Sequence, residues 1–235
     1  MSGPDHPEPA GAPQGPGPGG EYARIAAASD EDLAAELLAL TPTHEGRDRD
    51  QLRAWARVAL GFGRELADTA GAPAPGGPAR PEAEVTDMAT GGLRRDEVLL
   101  AEYLHRAAGD RVIVYADALD YARGVAEAAG WGGDYPRPAL REAALAHEEA
   151  HRMLHRGHSR ELRRRLDHTV LRWGPLRVRG HIVGADEIAA HAYAGRRGAL
   201  RRSPLALTAA IAATLAHRGT DRHGPGPRTT PGDRP

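Results

Sequence analysis

Apolar positions recur at helical spacing along most of the chain and at strand spacing in only two short stretches. Residues 21–69 read as helix with one break. Ser29 or Asp30 caps a helix through Leu33, Leu37, Leu38 and Leu40, which Thr41-Pro42 ends. A second runs from about Arg49 through Leu52, Trp55, Val58 and Leu66. Residues 71–92, opening with GAPAPGGPARPE, read as a linker. A new unit begins near Leu93, where Asp96 caps a predicted helix through Val98, Leu99 and Leu104 that stops at Gly109-Asp110. The β-branched run 111–115 predicts a strand, and 176–183 a strand or hairpin. Helices are expected over 118–129, 138–155, 159–171, 186–197 and 204–217. The expected fold class is α+β, mainly helical, with a small helical N-terminal unit (21–70) ahead of a main domain (93–218). The Pro/Gly-rich ends, 1–20 and 219–235, read as disordered tails.

Composition narrows the chemistry. Among 235 residues only 4% are aromatic, so Leu, Ala, Val and Ile must build the core. The absence of Cys removes disulfides and thiolate sites, leaving His and carboxylates as the only strong metal ligands. Net charge is -1, which argues against a nucleic-acid binder. All 31 basic residues are Arg, with no Lys and no Asn, as a GC-rich coding sequence would produce. That origin discounts the 13 Arg between Arg152 and Arg202, which read as a solvated face. Residues 1–20 lack the basic start and apolar run of a signal peptide, and no stretch approaches the ~20 apolar residues of a membrane helix. A cytoplasmic protein without membrane partners is expected.

The helix predicted over 138–155 carries the chemistry. At ~100° per residue Leu140, Ala143, Ala144, His147, Glu148, Ala150, His151, Leu154 and His155 share its apolar side, while Glu149 points to water. His147-Glu148-Glu149-Ala150-His151 is an H-E-x-x-H pattern. Two His at i and i+4 bring both imidazoles to one point, and the Glu beside the first can move a proton at the remaining coordination position. The 12 His and 16 Glu of this chain, placed at random, would give roughly 0.04 such matches. A metzincin would need Gly and His where Leu154 and Gly157 stand, and a di-iron bundle would need a second E-x-x-H. A third ligand remains to be found, and spacing leaves Glu161, Asp167, Asp186 and Glu187 all open.

The segment Leu145-Ala146-His147-Glu148-Glu149-Ala150-His151-Arg152-Met153-Leu154-His155 resembles the ImmA/IrrE-type metallopeptidase pattern L-A-H-E-x-x-H-x-L-L-H. That family continues with E-x-x-A-[N/D]-x-F-A. Glu187-Ile188-Ala189-Ala190-His191-Ala192-Tyr193-Ala194 fits, with His191 for Asn and Tyr193 for Phe. The resemblance spans roughly residues 93–215. It implies a zincin-like domain, Zn2+ held by His147, His151 and Glu187, and Glu148 as general base. It also implies hydrolysis of a protein or peptide substrate, with a transcriptional regulator as one such target. Two other readings stand beside it: a zinc-binding, non-proteolytic regulatory domain acting through its N-terminal helices, and a metal-free helical adaptor whose motif is accidental. Lesser candidates are His155 as support for the ligands, with His158 continuing the same His pattern, and His181, His191 and Tyr193 as oxyanion donors. The strand around Val112–Tyr115 is a candidate for pairing with an extended substrate.

Overall fold

The computed structural model describes residues 18–70, 83–95, 97–106, 109–173 and 176–222. The chain is α+β and mainly helical, with eight helices and two small sheets among the described residues.

Three helices open the chain: α1 (Pro18–Ala27), α2 (Asp30–Ala39) and α3 (Arg49–Thr69). Helix α2 starts where Ser29 Oγ accepts a bond from the Asp32 N–H at 3.1 Å, with three carboxylates in its first turn. Helix α3 buries Leu52, Trp55, Ala56, Ala59, Leu60, Gly63 and Leu66, a single helical stripe. Its outer arginines reach back to α2 as Arg53–Asp32, Arg57–Glu31 and Arg64–Asp30. These exposed pairs fix the angle between the helices more than they stabilise it.

The first sheet holds β1 (Glu84–Met88), β2 (Ala101–Arg106) and β3 (Gly109–Tyr115) in the order β1-β3-β2, with β1 parallel and β2 antiparallel to β3. Helices α4 (Ala116–Ala128) and α5 (Arg137–Met153) follow. Past Met153 the chain kinks within Leu154–His158, where Gly157 takes a left-handed φ of 128°. Helix α6 (Ser159–Leu166) ends at Asp167, whose left-handed backbone has φ 43°. The hairpin β4 (Thr169–Trp173) and β5 (Leu176–Arg179) leads to α7 (Ala185–Arg197) and α8 (Pro204–Arg222). Helix α3 lies on α7, α7 on α5, and α5 against β2 and β3, while α8 covers α1, α2 and α4. No described helix is long and apolar enough to cross a membrane.

Several expectations give way here. The stretch predicted as a helix from Leu93 to Leu104 is a Leu93–Val98 bridge followed by strand β2. Its short apolar run suits either state, and pairing along β3 decides it. Asp96, the expected cap, lies outside the described residues. Strand β1 falls inside the expected linker. Val85 and Met88 are exposed, so no buried alternation announces it, and its backbone pairing with β3 carries it. Residues 18–20 begin α1, and α8 continues past Gly219; residues 1–17 and 223–235 of the expected tails, and 71–82 of the linker, lie outside the described residues. Helix α6 stops short of the expected 171 because Asp167 turns the chain into β4. The helices over 21–70 share one buried cluster with the rest of the chain, from Tyr22 and Leu60 to Ile188 and Leu207.

Candidate metal centre

Helix α5 begins at a Pro136-Arg137-Pro138 entry and runs without a breaker, so the spacing of its side chains is set by helix geometry alone. Leu140, Ala144, His147 and His151 fall in one line along it. Helix α7 starts from Gly184, whose φ of 88° turns the chain sharply into the helix and places Asp186 and Glu187 in its first turn. The unpaired N–H groups of that turn favour carboxylates there.

The two helices bring three expected ligands together. His147 Nε2 and His151 Nε2 stand 3.0 Å apart, and Glu187 meets them at 3.3 and 3.1 Å. Among the described residues these three form a group able to hold a metal ion. The two His side chains are 17% and 19% exposed but Glu187 is 51% exposed, so the trio opens to solvent on the Glu187 side. Burial opposes the Glu187 charge, but hydrogen bonds from both imidazoles hold its carboxyl far below the usual carboxylate range. Burial disfavours a charged His151, and Glu187 reverses that and raises it.

Glu148 points toward the sheet. Its Oε2 accepts the backbone N–H of Tyr103 in β2 at 2.9 Å. Burial pushes this carboxyl up, against the opposing pull of His147, His151 and the Tyr103 N–H. A carboxyl raised by burial and set beside two candidate metal ligands is placed to exchange a proton with a group bound between them.

A cleft of about 570 Å³ contains Glu148 and the three candidate ligands, with β2 and the segment before it as one wall and α5, α7 and α8 as the other. The Tyr103 N–H faces Glu148, so alternation along the strand turns the backbone of Ala101 toward the cleft as well. This edge, paired to no further strand among the described residues, belongs to β2. The strand expected to receive a substrate, 112–115, lies in β3, hydrogen-bonded on both sides, and has no edge to offer.

The remaining candidates separate cleanly. Of the four acidic residues considered as third ligand, only Glu187 reaches the His pair; Glu161 is bound to Arg164 and Arg165. His191, one turn beyond Glu187, stacks beside His147 with ring centroids 4.6 Å apart. Burial and the neighbouring His147 push its pKa down to about 3, so it is a neutral ring. Its Nε2 lies 3.5 Å from Thr208 Oγ1. His155 is exposed and lines the cleft, whereas His158, His181 and Tyr193 do not line it. Two parts of the cleft escaped the sequence reading. The Tyr103 N–H is one, since every residue but Pro carries such a donor and no side-chain pattern marks it. The wall from α8 is the other, because its apolar residues resemble any core stripe.

Compared with known proteins, the chain matches no protein-family model, no curated protein and no solved structure.

Proposed function

We propose that the chain is a zinc-dependent metallopeptidase with a zincin-like fold, hydrolysing a peptide bond in a protein or peptide substrate. The observation that carries this reading is the convergence of His147, His151 and Glu187 beside the half-buried carboxylate of Glu148. Donor spacing supports zinc: tetrahedral bonds of ~2.0–2.1 Å put ligand atoms roughly 3.3 Å apart. The distances here are 3.0, 3.1 and 3.3 Å. Two imidazoles and one carboxylate are also a common catalytic ligand set that leaves one position open.

A bound zinc ion would supply a polarised carbonyl and a water whose pKa is lowered toward ~7. The chain's own residues do the rest. Glu148 takes a proton from the attacking water and returns it to the departing amine, a transfer that its raised pKa favours. The Tyr103 N–H fixes the direction in which the Glu148 carboxylate points. The free edge of β2 offers backbone donors and acceptors to an extended substrate, and His191 packs His147 in place. The resemblance to ImmA/IrrE-type enzymes favours a regulatory protein, such as a transcriptional regulator, as the target.

The test combines metal content with cleavage. Purified chain should contain one zinc per molecule by elemental mass spectrometry and should cleave members of a proteome-derived peptide library. Glu148→Gln should keep the zinc and lose cleavage by ~10²–10⁴-fold. A fully active Glu148→Gln would remove the role given to Glu148. One zinc with no cleavage of any peptide would instead favour a zinc-stabilised regulatory module, and a chain that takes up no zinc would leave a helical adaptor.

A further inference from the structure

A second hollow, of about 410 Å³, opens where α3, α7 and the loop between α7 and α8 meet. It adjoins the metal cleft across His191, Leu200 and Pro204, but its chemistry is different. Arg64, Arg196, Arg201 and Arg202 line it, with Asp30 and Asp68 as its only carboxylates among the described residues. Four positive charges thus face two negative ones. A GC-rich coding sequence explains why these residues are Arg rather than Lys. It does not explain why arginines from α3, α7 and the following loop converge on one hollow.

The loop is fixed by its own neighbours. The Arg201 N–H donates to the Asp134 carbonyl at 3.2 Å, and the buried Tyr135 hydroxyl donates to the Ser203 carbonyl at 2.7 Å. Between them Arg202 is held twice. Its Nε donates to the Asp134 carboxylate at 3.2 Å, and its guanidinium lies 4.7 Å from the centre of the Trp131 ring. Arg196 donates through Nε to Asp68 at 2.8 Å, and Arg64 through one terminal nitrogen to Asp30 at 3.2 Å. A guanidinium carries five N–H donors, and each of these pairings uses a single nitrogen. Both terminal nitrogens of Arg196 and of Arg202 are therefore without a hydrogen-bond partner among the described residues. The side chain of the exposed Arg201 has no partner there at all. The aspartates orient these arginines without occupying their forks.

We propose that this hollow binds a phosphate dianion, as the free ion or as the phosphoryl group of a small molecule. A dianion matches the excess of two positive charges, and tetrahedral oxygens can accept from several guanidiniums at once. A carboxylate carries half that charge and satisfies one fork. The hollow exceeds the size of a phosphate ion, and the partly exposed Leu200 and Pro204 offer apolar surface to a carbon skeleton attached to it. The site needs no metal and stands independently of the peptidase reading.

Calorimetric titration of the purified full chain with inorganic phosphate, glycerol 3-phosphate and acetate tests this. Constant ionic strength and a pH of about 8 keep both phosphates as dianions and remove general screening effects. Both should bind saturably and at least ~10-fold tighter than acetate, the smallest gain expected from one further hydrogen bond to a charged group. Arg201→Gln removes an exposed side chain without a partner, so its circular dichroism should match the wild type while phosphate binding weakens by ~10-fold. Arg201→Glu should abolish binding. Glu187→Ala, altered only at the metal centre, should bind phosphate as the wild type does. The tighter of the two phosphates identifies the source, a phosphorylated molecule if glycerol 3-phosphate and the free ion if inorganic phosphate. No binding of either, acetate as tight as phosphate, or undiminished binding by Arg201→Glu would overturn the site. Loss of phosphate binding in Glu187→Ala would place the anion at the metal centre and overturn it equally.

Discussion

The cleft has one wall of helices and one of sheet, and the two contribute by different means. In the proposed reading the α5–α7 wall acts through side chains: the identity of His147, His151, Glu148 and Glu187 would be the chemistry, and replacing an atom would change it. The β2 wall acts through backbone. What faces Glu148 is the N–H of residue 103, present in almost any sequence that keeps the strand in place. Their supports differ in the same way. Helix α7 is held by interlocked surfaces, since a Cβ at Gly63 of α3 would sit 2.1 Å from the Ala189 carbonyl oxygen. Strand β2 is held by a turn before it, where Asp117 accepts the N–H groups of Gly91 and Gly92 at 3.0 and 3.2 Å. A side-chain wall should thus be fragile to specific substitutions, and a backbone wall should tolerate most changes except those that remove a donor or undo a turn.

The largest expected effect is on the interlock. Gly63→Ala must push α3 away from α7, because backbone cannot give 2.1 Å its usual separation. Helix propensity alone would stabilise this change by ~1 kcal/mol, so the sign of the result is informative. A steric cost of about 3 kcal/mol should win by about 2 kcal/mol, lowering Tm by roughly 4–8 °C in thermal denaturation, and zinc affinity should fall with it. A stabilised Gly63→Ala would show that α7 is not clamped by α3.

Next comes the ligand face of the same helix. Glu187→Ala removes the carboxylate that meets both imidazoles. It should weaken zinc binding by on the order of 100-fold or more, beyond the ~10–100-fold seen when only a supporting residue is lost. Metal competition titration checks this, and unchanged affinity would put the third ligand elsewhere.

The backbone wall makes a sharper demand. Tyr103→Pro deletes one N–H that faces the cleft and none that faces β3, so an edge strand can accept it. Zinc content should persist while cleavage drops by ~10-fold, the loss of a group that orients the general base. Tyr103→Phe, which alters only the side chain, should cost far less. Equal losses in the two variants would erase the distinction between the walls.

The smallest effect is on acid stability. Burial works against the Asp117 charge, but the N–H groups of Gly91, Gly92, Ala118 and Leu93 outweigh it and lower its pKa. A carboxyl depressed in the folded state contributes stability above its unfolded pKa and loses it as pH falls through the folded value. The Tm advantage of the wild type over Asp117→Asn should therefore be full at pH 6 and shrink below about pH 4. An advantage constant down to pH 3 would mean that the turn does not depend on the charge.

The helical wall was largely legible in advance and the sheet wall was not. The stripe Leu140, Ala144, His147 and His151 needs only the i, i+4 geometry of one helix, and helix α5 follows it to Met153. The predicted helix through Val98 and Leu104 was a misreading, because β2 exists only through β3, to which it pairs from Ala101–Val114 to Arg106–Gly109. Strand 112–115 was recognised as a strand, but its central place in the sheet depends on β1, hidden in a segment that reads as linker.

By itself the sequence determined what local geometry enforces: the main helices, the meeting of His147 and His151, and the position of Glu148 beside them. Family resemblance pointed to Glu187, but spacing left four acidic residues open, and only the crossing of α5 and α7 brings that one to the His pair. Tertiary structure alone decided that β2 forms an edge of the sheet beside the cleft, that α3 clamps α7 through Gly63, and that α8 lines the cleft beside the candidate ligands. The reason is physical. Contacts within one helix are set by 3.6 residues per turn, whereas pairing between distant segments depends on competing packings whose energies no short window of sequence contains.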